Sequence, residues 1–234
     1  MYYFFTILFF YFIFKLFYEY NKYFNNIDKF VSFIFNKVFL LCGFKINIID
    51  FEKLPSKIII IGSHTSIYDF LIGVLFYYAI FHEKYSTYVF MKNSFEIICK
   101  PILIFFDKKF KLISVNTNKK IKEYDKNKYG ITSQICDQLK NEDNYIIFIS
   151  PEGTRKCTDK LKSGYWYIAK NLDIDILYLG IDYSLKTITL EDYRKPYNTW
   201  EEEEKYFIDS CIKYIPLYPE RCFWTKNYYE NNSK

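Results

Sequence analysis

The chain has 234 residues, enough for one domain with a full core, and half of them are hydrophobic, 23% aromatic and 25% charged. The charged fraction excludes a protein built mainly of membrane-spanning helices, and the aromatic content excludes an intrinsically disordered chain. The net charge is +5, but there is no arginine cluster or recognisable nucleic-acid-binding module, so no nucleic-acid partner is expected.

The N-terminal region contains two apolar segments. The first, Met1–Phe14, has no charged residue and is followed by Lys15. It is slightly shorter than the about 20 residues that cross a bilayer, although the Lys15 stem can extend its reach. The second, Phe30–Cys42, has the pattern of an amphipathic helix. We predict that residues 1–50 form membrane-anchoring helices, the first of which crosses the bilayer or lies in its interface; the alternative is a buried core helix.

Beyond Pro55, short apolar runs typical of buried strands alternate with segments of helical periodicity. We predict strands at 57–61, 87–91, 111–115, 145–149, 176–180 and 184–190. We predict helices at 66–81, 93–106, around 131–139, at 161–171, and from Thr199, where acidic residues favour the helix dipole. The alternation predicts an α/β fold with a mixed, mostly parallel sheet covered by helices. Residues 51–218 would form this domain, and residues 219–234 a loose polar C-terminal tail.

The first candidate site follows the predicted strand 57–61. His64 lies just after this strand, and Asp69 comes five residues later at the start of a helix. The carboxylate can therefore hold the imidazole in one tautomer and stabilise its charged form, which suits a general base. A structural alternative exists, because Ser66 and Asp69 also match a helix capping box.

The second candidate site follows the predicted strand 145–149 and reads Pro-Glu-Gly-Thr-Arg at 151–155. Gly153 lets the backbone approach a ligand, Arg155 can bind a phosphate, and Glu152 can hold Arg155 or a hydroxyl. The structural alternative is a surface turn with a local Glu–Arg ion pair. Each motif is inconclusive alone, but the occurrence of both in one chain, each at the end of a predicted strand, is not easily accidental.

Metal chemistry has little support in the sequence. The six cysteines are scattered without a Cys-x-x-Cys pair and there are only two histidines, so no metal site is predicted. We expect reduced thiols that face a cytosolic compartment. A lysine-rich segment at 107–128 is either a solvated basic surface or a patch that faces phosphates.

Together, His64-x4-Asp69 and Pro-Glu-Gly-Thr-Arg resemble the paired signature of the glycerolipid acyltransferase family, which includes the 1-acylglycerol-3-phosphate acyltransferases. The similarity spans residues 58–190 and includes Gly-Ile-Asp-Tyr at 180–183. It implies a membrane-bound enzyme, with its active site facing the cytosol, that moves a fatty acyl group to a lysophospholipid or glycerol-phosphate-type acceptor. The implied donor is acyl-CoA or acyl carrier protein, and no cofactor is implied beyond this co-substrate.

The resemblance also implies residue roles. His64 would remove the proton of the acceptor hydroxyl, and Asp69 would orient the imidazole. The residues implied to bind the acceptor are Glu152, Gly153, Thr154 and Arg155. The family's middle block carries an arginine after a strand, where this chain has Val-Asn-Thr at 115–117. This departure leaves the acceptor headgroup open.

Three alternatives stay open at this point. One is an acyltransferase or transacylase acting on a non-glycerophosphate lipid. Another is a catalytically silent membrane-binding paralogue, although loss of activity would be expected to erase His64 or Asp69 first, and both are present. The third is a lipid hydrolase, which is disfavoured because the chain has no Gly-x-Ser-x-Gly nucleophile motif.

Overall fold

The structure is a computed structural model that describes residues 27–47, 53–92, 109–115 and 131–223. Within these ranges seven strands form one sheet. Their bounds are β1 Lys45–Asn47, β2 Lys57–Ile61, β3 Ser86–Lys92, β4 Phe110–Val115, β5 Tyr145–Ile149, β6 Asp175–Asp182 and β7 Thr187–Leu190. The strand order is β1-β7-β6-β2-β5-β3-β4.

Five adjacent strands, from β6 through β2, β5 and β3 to β4, run parallel to one another. β7 runs antiparallel to β6, and β1 is parallel to β7. The change of direction follows from the short turn between β6 and β7, in which Lys186 has a φ of 50°. The mixed, mostly parallel sheet expected from the sequence is therefore confirmed.

In the described ranges, five α-helices lie on the two faces of this sheet. Their bounds are α1 Ile27–Leu41, α2 Ile67–Phe76, α3 Ile131–Leu139, α4 Gly164–Leu172 and α5 Trp200–Cys211. α1 and α2 pack in one hydrophobic core, and α3, α4 and α5 pack in another on the opposite face. In β2, Ile58 and Ile60 point into the first core and Ile59 and Ile61 into the second. Such two-sided burial explains why β2 reads as a continuous apolar run.

The helices and strands follow the sequence patterns, with differences at their ends. The helix expected at 66–81 is α2 followed by a π-helical turn, Tyr77–Phe81. α5 begins at the predicted cap Thr199, whose side chain forms a reciprocal capping box with Glu202. The strand expected at 184–190 begins only at Thr187, because the preceding residues form the β6–β7 turn. The helix predicted at 93–106 lies outside the described residues.

The predicted N-terminal anchor is described only in part, because Met1–Phe14 lies outside the described residues. α1 covers most of the second predicted segment and packs on the domain, with the Phe35 ring stacked 4.9 Å from that of Tyr78. β1 was not predicted; it joins the sheet beside β7. In the described ranges, none of the helices combines the length and the apolar character needed to cross a bilayer.

We predicted a loose tail over 219–234, but its first residues, 219–223, pack on the domain. Pro219–Arg221 forms a 3₁₀ turn, and the side chains of Cys222 and Phe223 that follow are buried. Burial of these two side chains attaches residues 219–223, here called the C-terminal strap, to the domain. Residues 224–234 lie outside the described part of the chain.

Candidate active site

The carboxyl ends of β6, β2 and β5 lie side by side, since these three strands are parallel neighbours. His64 follows β2, Glu152 follows β5, and Tyr183 is the first residue after β6. In open α/β sheets, ligands bind in the crevice outside such strand ends. The two motifs identified in the sequence therefore meet at one edge of the sheet.

His64 and Asp69 form the expected pair. The imidazole Nδ1 lies 3.3 Å from Asp69 Oδ2. The His64 side chain is 28% exposed, whereas that of Asp69 is only 8% exposed. Among the described residues, nothing forms a hydrogen bond with His64 Nε2. An imidazole that donates from Nδ1 to a carboxylate has its lone pair on Nε2, so the accessible nitrogen is the basic one.

The capping alternative for Asp69 is also correct, and the two roles coexist. Asp69 Oδ2 accepts hydrogen bonds from the backbone N–H groups of Thr65 and Ser66, both at 2.7 Å. The Ser66 hydroxyl in turn caps the start of α2, completing the capping box. The turn that caps α2 is thus the same turn that folds His64 back over its partner carboxylate. Asp69 Oδ1 is left to the hydroxyl of Tyr183, which donates to it at 2.6 Å.

Glu152 joins the two motifs. Its Oε2 accepts from the backbone N–H of His64 at 2.7 Å and from the Ser150 hydroxyl at 3.3 Å. Its Oε1 accepts from the Ser63 hydroxyl at 3.2 Å and from the backbone N–H of Phe223 at 3.4 Å. The residue is only 2% exposed, and this burial raises the pKa of its carboxyl although the hydrogen bonds act in the opposite direction.

The C-terminal strap packs against the loop between β2 and α2 that carries His64. Arg221 Nη1 donates to the carbonyl of Thr65 at 3.3 Å, and Cys222 Sγ lies 3.4 Å from the Ser63 hydroxyl. Burial raises the pKa of Cys222 to about 12, so this thiol stays protonated at neutral pH. Since the thiolate is the nucleophilic form, Cys222 is a packing residue and not a candidate nucleophile.

The remaining motif residues, Gly153 to Arg155, form a turn that opens to solvent. Gly153 has a φ of +61°, and a Cβ at this position would overlap the Lys162 side chain, so the Lys162 ammonium lies directly over the turn. The Thr154 hydroxyl accepts from the backbone N–H of Lys156 at 3.2 Å. Arg155 is exposed. The local Glu152–Arg155 ion pair that a surface turn would contain is not formed between these two described residues.

Sequence reasoning found His64, Asp69 and the 151–155 turn, and the structure joins them through Glu152, which accepts from the backbone N–H of His64. Among the described residues, Gly153, Thr154 and Arg155 form no hydrogen bond or ion pair with His64 or Asp69. Sequence reasoning missed Tyr183 as a partner of Asp69, although the Gly-Ile-Asp-Tyr segment at 180–183 was a usable signal. It also missed the C-terminal strap, for which the sequence held no signal: Cys222 lies 159 residues from Ser63. No group of three or more His, Cys, Asp or Glu side chains in the described ranges is arranged to hold a metal ion.

Comparisons with known proteins concern the family and the fold of the chain. The sequence profile described as Acyltransferase matches residues 45–181, more than half of the chain. A similar solved structure is the 1-acyl-sn-glycerophosphate (LPA) acyltransferase PlsC from Thermotoga maritima. It superposes with a TM-score of 0.50 at 14% identity, covering 80% of this chain and 78% of that chain. At this identity the likeness concerns the fold. No curated protein matches the chain in sequence.

Proposed function

The chain belongs to the acyltransferase family, and from this premise we propose that it moves a fatty acyl group from a thioester to a lysophospholipid or glycerol-phosphate-type hydroxyl. The observation that carries the proposal is the accessible His64 imidazole, paired with Asp69 at 3.3 Å. Its backbone is bound to the second motif through Glu152 at 2.7 Å. The base and the candidate acceptor-binding turn therefore occupy one site.

The proposed reaction uses the lone pair that the His64 imidazole carries on Nε2. His64 Nε2 takes the proton of the acceptor hydroxyl as its oxygen attacks the thioester carbonyl carbon. The new C–O bond forms, the C–S bond breaks, and the imidazolium returns the proton to the departing sulfur. Asp69 holds the ring and stabilises its charged form through Nδ1. The donor that we propose is acyl-CoA or acyl carrier protein, acting as a co-substrate.

The turn at Gly153 to Arg155 is the proposed acceptor-binding element. Arg155 is exposed, and the ammonium of Lys162 lies over Gly153. Neither cation forms an ion pair with a described acidic side chain. Two cations without acidic partners beside a backbone turn of positive φ suit a phosphate group. We assign Glu152 to holding this turn against His64, because its carboxylate is buried and already accepts hydrogen bonds from protein groups.

The acceptor class is tested by acyl transfer from labelled acyl-CoA to a panel of lysolipids with and without an exposed phosphate monoester. We expect transfer to phosphate-bearing acceptors. In the Arg155→Ala and Lys162→Ala variants the acceptor KM should rise about 10-fold, which corresponds to one charge-assisted hydrogen bond, while kcat changes little.

The matched control is Lys140→Ala, which removes an exposed lysine just before β5, at the opposite end of that strand from Glu152. An unchanged acceptor KM in both site variants would contradict the phosphate role. Transfer only to lysolipids that lack the phosphate monoester would favour a non-glycerophosphate acceptor. Membrane binding without any transfer would favour the silent paralogue.

Membrane association is proposed on the surface of α1. Leu40 and Leu41 are 63% and 87% exposed, and Phe33 on the same helix is also exposed. The Lys37 ammonium lies 5.3 Å above the Phe33 ring centroid. Apolar side chains flanked by lysine are typical of helices that lie in the interface of an anionic bilayer. Such an orientation would bring lipid acceptors to an enzyme with no spanning helix in its described part.

This orientation predicts weaker membrane binding when Leu40 and Leu41 are both replaced by Asp. We expect co-sedimentation with vesicles of phosphatidylcholine and phosphatidylglycerol to fall about 10-fold or more, because burying a carboxylate in the interface is costly. The control is Ile212→Asp, at a 51% exposed apolar position just after α5 on the other face of the sheet. Equal binding of both variants and the parent protein would contradict the role of α1.

A further inference from the structure

We propose that Tyr183 is a positioning residue that acts through Asp69 to orient His64. The inference rests on the proposed function, since it concerns the base assigned there. Tyr183 follows β6, and its hydroxyl donates to Asp69 Oδ1 at 2.6 Å, the shortest hydrogen bond that this carboxylate accepts. The two residues are 114 positions apart in the chain.

The hydrogen bonds of Asp69 are divided between its two oxygens. Oδ2 accepts from the backbone of Thr65 and Ser66 and faces His64 Nδ1, whereas Oδ1 is bound by Tyr183. A carboxylate held at one oxygen can still turn about its terminal torsion, which is broad in aspartate. A donor at the second oxygen fixes the plane of the carboxylate. Tyr183 therefore sets how Oδ2 is presented to the imidazole.

Tyr183 is itself held rigidly. Its backbone N–H donates to the carbonyl of Ile215 at 2.8 Å. Its ring packs edge-on against Phe44, with centroids 5.9 Å apart. The preceding Asp182 accepts from the backbone of Leu185 and Ile215, which anchors the β6–β7 turn. A hydroxyl supported in this way has little freedom to follow Asp69 if the carboxylate turns.

The hydroxyl is also a permanent donor. Burial, followed by the hydrogen bond to Asp69, raises the pKa of Tyr183 well above its ordinary value of 10.0. At neutral pH the phenol therefore keeps its proton and cannot serve as a second base. Its contribution is made through the geometry of Asp69.

Tyr183 supports the contact between His64 and Asp69, which is the contact of this carboxylate most sensitive to geometry. The His64 Nδ1–Asp69 Oδ2 distance of 3.3 Å is longer than the 2.7 Å bonds from the Thr65 and Ser66 amides to the same oxygen. Without the Tyr183 hydroxyl, the two backbone donors would dominate the orientation of the carboxylate. The base would lose orientation while the acceptor-binding turn stayed in place.

The test is Tyr183→Phe, which removes the hydroxyl and keeps the ring against Phe44. We expect kcat to fall about 10-fold with an unchanged acceptor KM. The reason is that the variant loses an interaction that matters in the transition state but keeps the interactions that bind the acceptor. The control is Tyr85→Phe, which removes a buried tyrosine hydroxyl that donates to Pro55 at 2.9 Å, just before β2. In this control kcat should stay within about 2-fold of the parent enzyme, because the site is not touched.

A double-mutant cycle separates positioning from general damage. In an Asp69→Asn background, Tyr183→Phe should cause no further loss of kcat, because Tyr183 acts only through that carboxylate. If Tyr183→Phe alone does not fold, the double variant carries the test, since it leaves no carboxylate unpaired. A further loss in the double variant, or full activity of Tyr183→Phe beside an inactive His64→Ala, would overturn the inference alone. Full activity of His64→Ala would overturn the proposed function itself.

Discussion

Replacing His64 by Ala is expected to lower the rate of acyl transfer by about 10²–10⁴-fold, the usual contribution of a positioned general base. The reason is the geometry of the imidazole. Nδ1 faces Asp69 Oδ2 at 3.3 Å, so the accessible Nε2 carries the lone pair that removes the acceptor proton in the proposed reaction. The measurement is kcat with labelled acyl-CoA and a saturating lysolipid.

The fold should survive this change, because the His64 side chain is partly exposed and its backbone bond to Glu152 does not involve the ring. An unchanged midpoint of thermal unfolding is therefore the control for folding. His64→Asn serves as a second variant, since it keeps a polar side chain without a base of suitable strength. Transfer at the parental rate in both variants would sink the base mechanism.

Replacing Glu152 by Gln is expected to have the second-largest effect. Among the described residues the carboxylate accepts hydrogen bonds from four donors, including the backbones of His64 and Phe223. In Gln one acceptor oxygen becomes an NH₂ group that must face these donors. We expect a loss of about 1–3 kcal/mol in the free energy of unfolding, the cost of leaving buried donors unsatisfied. A small displacement of His64 should also lower kcat about 10²-fold.

Separate measurement of kcat and of the acceptor KM in Glu152→Gln distinguishes a positioning role from direct acceptor binding. A positioning role predicts a lower kcat with the acceptor KM unchanged, whereas direct acceptor binding predicts a higher KM. The matched control is Glu203→Gln, which alters another buried glutamate. Glu203 lies on α5 and forms an ion pair with Arg194 at 2.8 Å. That variant should lose stability and keep kcat. A raised acceptor KM in Glu152→Gln, with kcat preserved, would restore Glu152 as an acceptor-binding residue.

The same residue makes stability depend on pH with a definite sign. Burial raises the pKa of the Glu152 carboxyl above 4.5, so the folded state binds this proton more tightly than the unfolded state does. The stabilisation is complete below the unfolded pKa and is lost as the pH rises through the folded pKa. The parent protein should therefore gain stability relative to Glu152→Gln as the pH falls towards 4.5. The opposite trend in unfolding midpoints would contradict this assignment.

Short-range interactions explain why so much of the candidate site could be predicted from the sequence. Ile58 to Ile61 form a continuous apolar run because both faces of β2 are covered, and the strand has the predicted bounds. Ser66 and Asp69 act within one turn of α2, so their spacing alone predicts the cap and the carboxylate beside His64. Parallel strands end at a common edge, which is why two motifs 88 residues apart in the chain meet in the structure.

Only the tertiary structure decided which remote groups complete the site. Tyr183 reaches Asp69 because β6 is the neighbour of β2, and Phe223 reaches Glu152 because the C-terminal strap folds back over both motifs. Strand order and chain return depend on the packing of the whole domain, and no local pattern records them. The sequence by itself predicted His64 as the base, Asp69 as its carboxylate and the turn at 151–155 as the acceptor-binding element. The three-dimensional fold decided that Glu152 faces inward to hold His64, because its buried oxygens meet donors from two distant parts of the chain, Ser63 and His64 on one side and Phe223 on the other.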